Sequence, residues 1–546
     1  MAGPEPAEPP PRCLTSGSTA GKLLTMRSTD GDWSSELDEL AARVGFAAGL
    51  GGPEAVANHR AKGRLTIRDR IDRLADSGSF AEVGRLAGRA IRAEDGTLVE
   101  VKPSNFLCGE IEVDGRPAVV TGYDYTVRGG AIEGGLMDKR PHAERMAHDL
   151  KVPLIRLVEG VGASVRGVKT MGGTYVPTVP GWEWSVANLS RVPVVSAALG
   201  SLAGLPAIEV TATHFSVMVK GQAQLFVAGP PLVKAASGVE IDKESLGGWQ
   251  EATRSGSVDA AVDTEEEALA LLRQVLRYLP SNVWELPPRA TPSDDADRVD
   301  VSLRTLVPRS RRPLDTRRLF DCVADRGSVT EIAALHARAA VGALARLDGW
   351  PVIFLGTDSR FDGGGLSAAA ADKVVRLIDL ADTFHIPVVA FMDHPGLLIG
   401  LEAERAGTLR AGCRALSAIY EVDIPWASVI VRRAYGAAGA SHRNPTRHTF
   451  RVAWPSGEWG SLPLKGGVDA AYRRVIEQAE DPAAKRAELQ REYEQMTSPF
   501  RTAEAFGIED IIDPAETRPQ LCRWIRSAYR TMAAGPVGPS GRTFRP

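Results

Sequence analysis

The sequence has few cysteines, no long apolar run and little net charge. Its five cysteines among 546 residues show no C-x-x-C spacing, which excludes a zinc ribbon or a disulfide framework and indicates free thiols in a reducing cytoplasm. No apolar run approaches the roughly 20 residues of a membrane helix. A formal net charge of -3 does not favour a nucleic-acid-binding surface. We therefore expect a cytoplasmic globular protein with no metal site, and with neither a membrane nor a nucleic acid as its partner.

The first 33 residues lack the apolar region of a signal peptide and are rich in Pro, Gly, Ser and Ala. We predict a disordered tail over 1–33 and a first helix that opens at Ser34. Met26 lies just upstream of that helix and is an alternative translation start to Met1.

The most informative feature present is an internal duplication. Gly115-Arg-Pro117 recurs as Gly349-Trp-Pro351, Gly129-Gly130 as Gly363-Gly364, and Gly162 as Gly396, each 234 positions later. Further along, Gly204 matches Gly436 at an offset of 232. Solenoid and propeller repeats have periods of roughly 20 to 50 residues, so this is a duplicated domain. We predict that the two copies superpose, with Gly162 over Gly396 and Gly204 over Gly436.

Each half repeats a strand, a glycine turn, an amphipathic helix and a second strand, which is typical of α/β layers. The predicted elements are 117–122, 128–130, 139–150 and 152–158 in the first half, and 351–355, 363–365, 368–384 and 386–392 in the second. Composition changes abruptly over 285–295. We predict an N-terminal domain over 34–290, a linker over 291–318, a C-terminal domain over 319–535 and a tail over 536–546.

Glycine-rich loops follow strands at equivalent positions of the two halves, over 159–164 and 393–400, and over 200–205 and 433–439. Small residues there let backbone N–H groups approach a bound oxygen without a Cβ in the way, as in an oxyanion hole. A tight turn with no ligand is the alternative for any one loop. The histidine candidates for acid–base work are His214, His385, His394 and His442, although none has a paired nucleophile at a recognisable spacing.

Several longer sequence motifs, taken together, are specific enough to indicate a protein family. It comprises Gly63 to Ile71, Asp76 to Phe80, Phe226 to Gly238, Leu246 to Gly248, Phe391 to Gly400, Arg433 to Gly436, Ala453 to Pro455 and Ile512 to Arg518. Together these motifs resemble the carboxyltransferase (β) subunits of biotin-dependent acyl-CoA carboxylases, the propionyl-CoA and methylcrotonyl-CoA carboxylase family. The resemblance covers roughly residues 36–535 and implies an α/β fold of two tandem crotonase-like domains, built from ββα superhelical turns.

The resemblance also implies an activity and its partners. CO2 passes from carboxybiotin, carried on a biotinylated α subunit, to the α-carbon of an acyl-CoA, and biotin itself takes the α-proton. Acyl-CoA binds mainly to the N-terminal half and biotin enters at the C-terminal half. The site lies between the N-terminal half of one subunit and the C-terminal half of another, which implies a homo-oligomer, most simply a hexamer. The chain has no biotinylation motif or ATP-binding carboxylase segment, so it needs that partner.

Site residues follow from the resemblance position by position. The N–H groups of Gly204 and Leu205 hold the thioester oxygen, and those of Ala437 and Ala438 hold the ureido oxygen of biotin. Acyl-CoA contacts are implied for Gly160, Gly162, Ala163, Gly229 and Pro230, and biotin contacts for Pro395, Gly396, Leu397, Tyr435, Gly436, Gly439 and Ala440.

The sequence departs from the family pattern at several of these loops. The family's A-G-G-A reads Ala203-Gly-Leu-Pro206, and residues 158–163 differ from its D-S-G-G-A-R. Gly439-Ala440 replaces a larger Y-D pair and widens the pocket, so we expect a substrate other than plain acetyl- or propionyl-CoA. Two alternatives stay open: biotin-dependent decarboxylation, and a catalytically silent paralogue that completes a mixed oligomer. A crotonase-type hydratase is weaker, because one such domain would suffice.

Overall fold

The computed structural model describes residues 33–131, 138–160, 162, 176, 178–308, 312–442 and 446–546. The predicted N-terminal tail, apart from Trp33, and the predicted site residue Ala163 lie outside these ranges.

The first half is built on a mixed sheet of seven strands in the order β1-β4-β5-β6-β7-β9-β11. The strands of this half are β1 (Ala81–Glu82), β2 (Gly88–Arg92), β3 (Leu98–Pro103), β4 (Phe106–Val113), β5 (Arg116–Tyr123), β6 (Leu154–Val158), β7 (Val194–Ala198), β8 (Ser201–Ala203), β9 (Phe215–Val219), β10 (Gln224–Phe226) and β11 (Ala260–Val262). β2 pairs with β3, and β8 with β10, outside the main sheet.

Helices cover the sheet of the first half. They are α1 (Ser34–Ala48), α2 (Pro53–Arg60), α3 (Ile67–Leu74), α4 (Lys139–Leu150), α5 (Trp182–Asn188), α6 (Leu205–Thr211), α7 (Pro230–Ser237), α8 (Lys243–Gly247), α9 (Trp249–Ser255) and α10 (Glu265–Leu276), with a 3₁₀ turn at Arg128–Gly130. Because β6 and β7 are buried along their whole length, they consist mainly of apolar residues, as central parallel strands require.

The second half repeats this arrangement in a sheet ordered β12-β13-β14-β15-β16-β17-β19, with β18 beside β16. Its strands are β12 (Thr330–Glu331), β13 (Ala340–Leu347), β14 (Trp350–Thr357), β15 (Val388–His394), β16 (Trp426–Tyr435), β17 (Thr449–Ala453), β18 (Glu458–Gly460) and β19 (Asp510–Ile511). In both sheets two antiparallel pairings at one edge are followed by parallel pairings across the remaining strands.

The helices of the second half are α11 (Thr316–Val323), α12 (Ala368–Thr383), α13 (Leu401–Arg405), α14 (Thr408–Glu421), α15 (Gly436–Ala440), α16 (Leu464–Ala471), α17 (Arg473–Glu477), α18 (Pro482–Met496), α19 (Pro499–Glu504) and α20 (Thr517–Ala533), with 3₁₀ turns at Val301–Thr305, Asp362–Gly364 and Pro514–Glu516. No helix in the described ranges is both long enough and apolar enough to span a membrane.

The backbone repeats the duplication in detail. Gly129 and Gly363, 234 positions apart, have φ of 62° and 61° inside equivalent 3₁₀ turns. Lys151 and His385, also 234 apart, both adopt the left-handed region just after the helix of their half, with φ of 58° and 55°. Non-glycine residues adopt that region at a cost, so its recurrence at one offset marks two copies of one chain path. The predicted α/β tandem is confirmed.

The two halves share a continuous apolar core. Leu276 and Leu279 of the first half belong to the same buried cluster as Leu344 and Ile353 of the second. The last residues, predicted as a tail, also pack against both halves, because the buried ring of Phe544 lies against His214 of the first half and beneath the guanidinium of Arg376 of the second. The two halves therefore form one packed body.

Candidate functional site

The first candidate site is the junction between β8 and α6. β8 ends at Ala203, Gly204 adopts φ +66°, and Leu205 is the first residue of α6. The N–H groups of a first helical turn have no intrahelical partner, and that of Leu205 is one of them. The nitrogen of Gly204 lies 3.4 Å from the carbonyl oxygen of Phe226, the last residue of β10. This predicted donor therefore already makes a long hydrogen bond within the protein.

The second candidate site is the equivalent junction in the other half. β16 ends at Tyr435, Gly436 adopts φ +60°, and α15 begins there. Ala437 and Ala438 lie in the first turn of that short helix, where backbone N–H groups lack an intrahelical partner, and both side chains are small. Leu205 and Ala437 thus occupy the same position, one residue after the positive-φ glycine of their half, whereas the other two predicted donors, Gly204 and Ala438, do not correspond to each other.

A second glycine loop lies against each junction. The N–H of Gly162 donates to the carbonyl oxygen of Ala203 at an N···O distance of 3.0 Å. A Cβ placed on Gly396 would lie 3.9 Å from the carbonyl oxygen of Tyr435, the residue that precedes Gly436. Each predicted loop therefore contacts the residue just before the positive-φ glycine of its own half.

A largely apolar cavity of about 180 Å³ opens beside Ala437 and Ala438. Leu397, another predicted biotin contact, lines it as well, with residues of α12 and α14 on the far side. Leu397 also forms a parallel bridge with Leu366, which fixes the loop over the cavity. The predicted donor pair and one predicted biotin contact, which are far apart in sequence, are thus brought together at one cavity.

Two of the four candidate histidines line this cavity. The rings of His394 and His442 are nearly parallel, at an interplanar angle of 15° and a centroid distance of 5.3 Å. Burial lowers the pKa of His394 to about 4 and that of His442 well below its ordinary value, so both imidazoles are neutral near pH 7.

The other two histidines have structural roles. His214 accepts the N–H of Val194 at Nδ1, and its Nε2 lies 3.0 Å from the carbonyl oxygen of Leu189. His385 reaches from the second half to the carbonyl oxygen of Val283, with 2.8 Å between Nε2 and the oxygen. Both rings therefore fix backbone segments.

Two buried carboxylates at the ends of equivalent strands were not singled out from the sequence. Glu159 follows β6, and its oxygens lie 2.8 Å from Arg64 Nη1 and 2.6 Å from Arg70 Nη2. Asp393, 234 positions later, pairs with the adjacent arginines Arg432 and Arg433 at 2.6 and 2.7 Å. Glu159 and Asp393 are separated by 234 positions, the same offset as the duplicated glycines, and this was the sequence signal that could have identified them.

The Asp393 carboxylate is unsuited to act as a base. Burial alone would raise the pKa of Asp393, but hydrogen bonds from the two arginines outweigh it and hold the pKa below its ordinary value. Each carboxylate instead anchors the strand end that carries a glycine loop.

The remaining predicted residues lie around the two junctions. Gly160 packs backbone against backbone on Gly130, where a Cβ would lie 2.3 Å from the carbonyl oxygen. Gly229 and Pro230 open α7, a helix without buried residues. Pro395 precedes Gly396 in its loop, and Gly439 and Ala440 close α15. Burial, together with the nearby Glu458 carboxylate, raises the pKa of Tyr435 to about 12.

The described residues therefore form two similar α/β halves, each with a positive-φ glycine at the start of a helix. Backbone N–H groups aimed at an oxygen can stabilise negative charge that develops there.

Comparison with known proteins gives the family. Residues 58–536 match the carboxyl transferase domain. The chain is 34% identical over 499 residues to the propionyl-CoA carboxylase carboxyltransferase subunit of Haloferax mediterranei, covering 90% of this chain and 95% of that protein. It is 30% identical over 502 residues to the biotin-dependent acetyl-/propionyl-coenzyme A carboxylase beta5 subunit of Mycobacterium tuberculosis, covering 89% of this chain and 90% of that protein.

Two solved structures have the same fold as this chain. Transcarboxylase 12S, described as a hexamer with methylmalonyl-coenzyme A bound, superposes with a TM-score of 0.82 at 26% identity, covering 94% of this chain and 99% of that one. A single-chain long-chain acyl-CoA carboxylase superposes with a TM-score of 0.76 at 27% identity, covering 90% of this chain and 50% of that one.

The chain belongs to the carboxyl transferase family and is a carboxyltransferase of the biotin-dependent acyl-CoA carboxylase type. The predictions of a crotonase-like tandem, and of chemistry that involves biotin and coenzyme A, are confirmed.

Proposed function

We propose that this chain transfers CO2 from carboxybiotin to the α-carbon of an acyl-CoA whose acyl group is larger than acetyl or propionyl. The observation that carries this proposal is the equivalence of the two helix starts, at Gly204 with φ +66° and at Gly436 with φ +60°. A reaction between a thioester and a cyclic urea needs one oxygen site for each partner, and the duplicated backbone offers two.

In the N-terminal half, the N–H of Leu205 would hold the thioester oxygen while negative charge grows on it. The N–H of Gly204 is the weaker donor, because Phe226 already accepts from it at 3.4 Å. Pro206 is the second residue of α6 and has no N–H to add. The half-buried Leu205 side chain stands where the family pattern has glycine, so it would reshape the wall that meets the acyl group.

In the C-terminal half, the cavity beside Ala437 and Ala438 fits the ring end of biotin. Its volume of about 180 Å³ exceeds that of the ~150 Å³ apolar cavity known to accept benzene. The N–H groups of the two alanines at one side would hold the ureido oxygen. Carboxybiotin, when bound there, supplies the activated CO2. The apolar walls around it would keep water away from the reacting carbon.

The assembly follows from exposed apolar residues around both sites. Val227 and Leu232, near the first junction, are 98% and 65% exposed. Ile399 and Leu409, near the second, are 87% and 70% exposed. A contiguous apolar patch around such side chains would be a candidate interaction surface. We propose that a second copy covers them, so that the N-terminal half of one subunit faces the C-terminal half of another in a hexamer, served by a biotinylated α subunit.

The proposed substrate size rests on Leu205, the half-buried side chain at the first junction. Gly439 and Ala440 were expected to widen the pocket, but they do not line the described cavity, and a Cβ on Gly439 would lie 2.4 Å from the carbonyl carbon of Ala434. The test is an assay of this chain with its biotinylated partner over straight and branched acyl-CoAs of increasing length. We expect the highest kcat/KM for an acyl group longer or more branched than propionyl. A maximum at acetyl- or propionyl-CoA would reject the size proposal and leave the transfer itself standing.

Decarboxylation is the second candidate function, because the chain is also 29% identical over 478 residues to the methylmalonyl-CoA decarboxylase subunit alpha of Veillonella parvula. The same two oxygen sites would serve the reverse reaction. Release of CO2 from a carboxylated acyl-CoA without ATP, faster than ATP-driven carboxylation of the parent acyl-CoA, would favour this direction.

A further inference from the structure

The cavity of the C-terminal half has a polar group that the proposed transfer does not use. His442 lines the cavity and is 6% exposed, and its Nδ1 has no hydrogen-bond partner among the described residues. An unpaired buried nitrogen destabilises the empty site, so a ligand that pairs with it gains affinity.

The stacked ring of His394 supports His442 from the neighbouring loop. His394 ends β15, whereas His442 lies just beyond α15, so the stack joins the two segments that form the opening. The hydroxyl of Thr357 lies 3.4 Å from Nδ1 of His394 and limits the rotation of that ring. The position of His442 is therefore fixed before a ligand arrives.

The chemistry of the cavity defines its ligand. Apolar walls favour an apolar ring, the N–H groups of Ala437 and Ala438 favour a carbonyl oxygen, and a neutral imidazole with its proton on Nε2 offers one acceptor at Nδ1. A cyclic urea fused to an apolar ring has all three complements: an apolar body, a C=O acceptor and N–H donors.

We infer that His442 is a positioning residue for biotin, whose Nδ1 accepts a hydrogen bond from an N–H of the ureido ring while Ala437 and Ala438 donate to the ureido oxygen. This inference rests on the proposed function, in which the C-terminal half receives biotin. In carboxybiotin one ureido nitrogen carries the carboxyl group, so the other N–H makes this bond. The contact fixes which nitrogen faces the acyl-CoA.

The test uses biocytin, the amide of biotin with lysine, as the probe. Its Kd is measured by calorimetric titration of the wild-type oligomer, His442→Phe and His442→Asn. Phe keeps the ring shape and removes the acceptor, whereas the amide oxygen of Asn lies near the position of Nδ1. We expect biocytin to bind about 10-fold more weakly to His442→Phe and within about 3-fold of wild type to His442→Asn.

Two controls accompany this comparison. His148→Asn repeats the substitution on α4 of the N-terminal half, where the histidine contacts Asp149 instead of the cavity, and should leave biocytin binding unchanged. The Kd for acyl-CoA should be the same in every variant. If His442→Phe fails to assemble, His442→Gln takes its place, because its longer side chain carries the amide oxygen past the Nδ1 position.

Equal binding of biocytin to the Phe and Asn variants would overturn the inference. An altered acyl preference with unchanged biocytin binding would also overturn it and assign the cavity to the acyl chain. Failure of the proposed function is distinguishable, because the wild type itself would then neither bind biocytin nor transfer a carboxyl group.

Discussion

Oε2 of Glu159 lies 2.6 Å from Nη2 of Arg70, and both side chains are almost completely buried. Arg70 also contacts Glu265 on α10, and Arg64 contacts the other oxygen of Glu159. This buried ionic cluster joins α3, the end of β6 and α10. The end of β6 is therefore held by contacts between residues almost 200 positions apart in sequence.

Arg70→Met should destabilise the protein by about 3 to 5 kcal/mol, because it leaves two buried carboxylates short of a cation. Urea denaturation measures the loss. The matched control is Arg60→Met, in which a 58%-exposed arginine loses its pair with Asp69; it should cost no more than about 1 kcal/mol. Similar losses in both variants would contradict the anchoring role of Arg70.

Ala437→Val should reduce carboxyl transfer at least ~100-fold, because a branched Cβ would obstruct the approach of an oxygen to this N–H. Steady-state assays with the biotinylated partner measure the rate. Ala487→Val on the exposed face of α18 is the control for the helix propensity of valine, and should retain activity. Unchanged transfer in Ala437→Val would show that this junction is only a turn.

Leu205→Gly separates an active from a silent N-terminal site. If Leu205 holds the thioester oxygen in a loop adapted to an unusual acyl group, the variant should keep measurable activity and change its acyl preference. The readout is kcat/KM across the acyl-CoA series with the biotinylated partner. A silent paralogue would show no turnover with any acyl-CoA, and Leu205→Gly would change nothing.

Val227→Asp should weaken self-association, since it places a charge on a side chain that is 98% exposed in the single chain and that we propose to be covered by a second copy. Light scattering at micromolar concentration should give a hexamer for the wild type and smaller species for the variant. Val227→Thr, of similar shape but uncharged, should still assemble. A monomeric wild type would reject the proposed intersubunit site.

Gly129 and Gly130 should differ in their tolerance of alanine, although both have positive φ. A Cβ on Gly130 would lie 2.3 Å from the carbonyl oxygen of Glu159, whereas on Gly129 the nearest atom is 4.0 Å away. Gly129→Ala should cost about 1 to 2 kcal/mol for its backbone conformation alone. Gly130→Ala should cost clearly more, as measured by denaturant unfolding, and equal losses would contradict the backbone contact.

The sequence alone was sufficient to predict the structural features that depend on short-range residue patterns. The helix predicted over 139–150 is α4 (Lys139–Leu150), and the helix predicted over 368–384 is α12 (Ala368–Thr383). The offset of 234 predicted equivalent turns at Gly129 and Gly363, which share φ near +60°. Helical periodicity and the conformational freedom of glycine act over a few residues, so both can be recognised from the sequence alone.

The tertiary structure alone decided how separate segments meet. The stack of His394 on His442, the pairing of Glu159 with Arg70, and the contact of Phe544 with His214 each join residues that no local pattern relates. Apolar packing sets these distances through the whole core, and the size of a cavity depends on every side chain around it. The sequence therefore determined the duplicated fold and the backbone junctions, whereas the shape of the cavity and the histidine within it came only from packing.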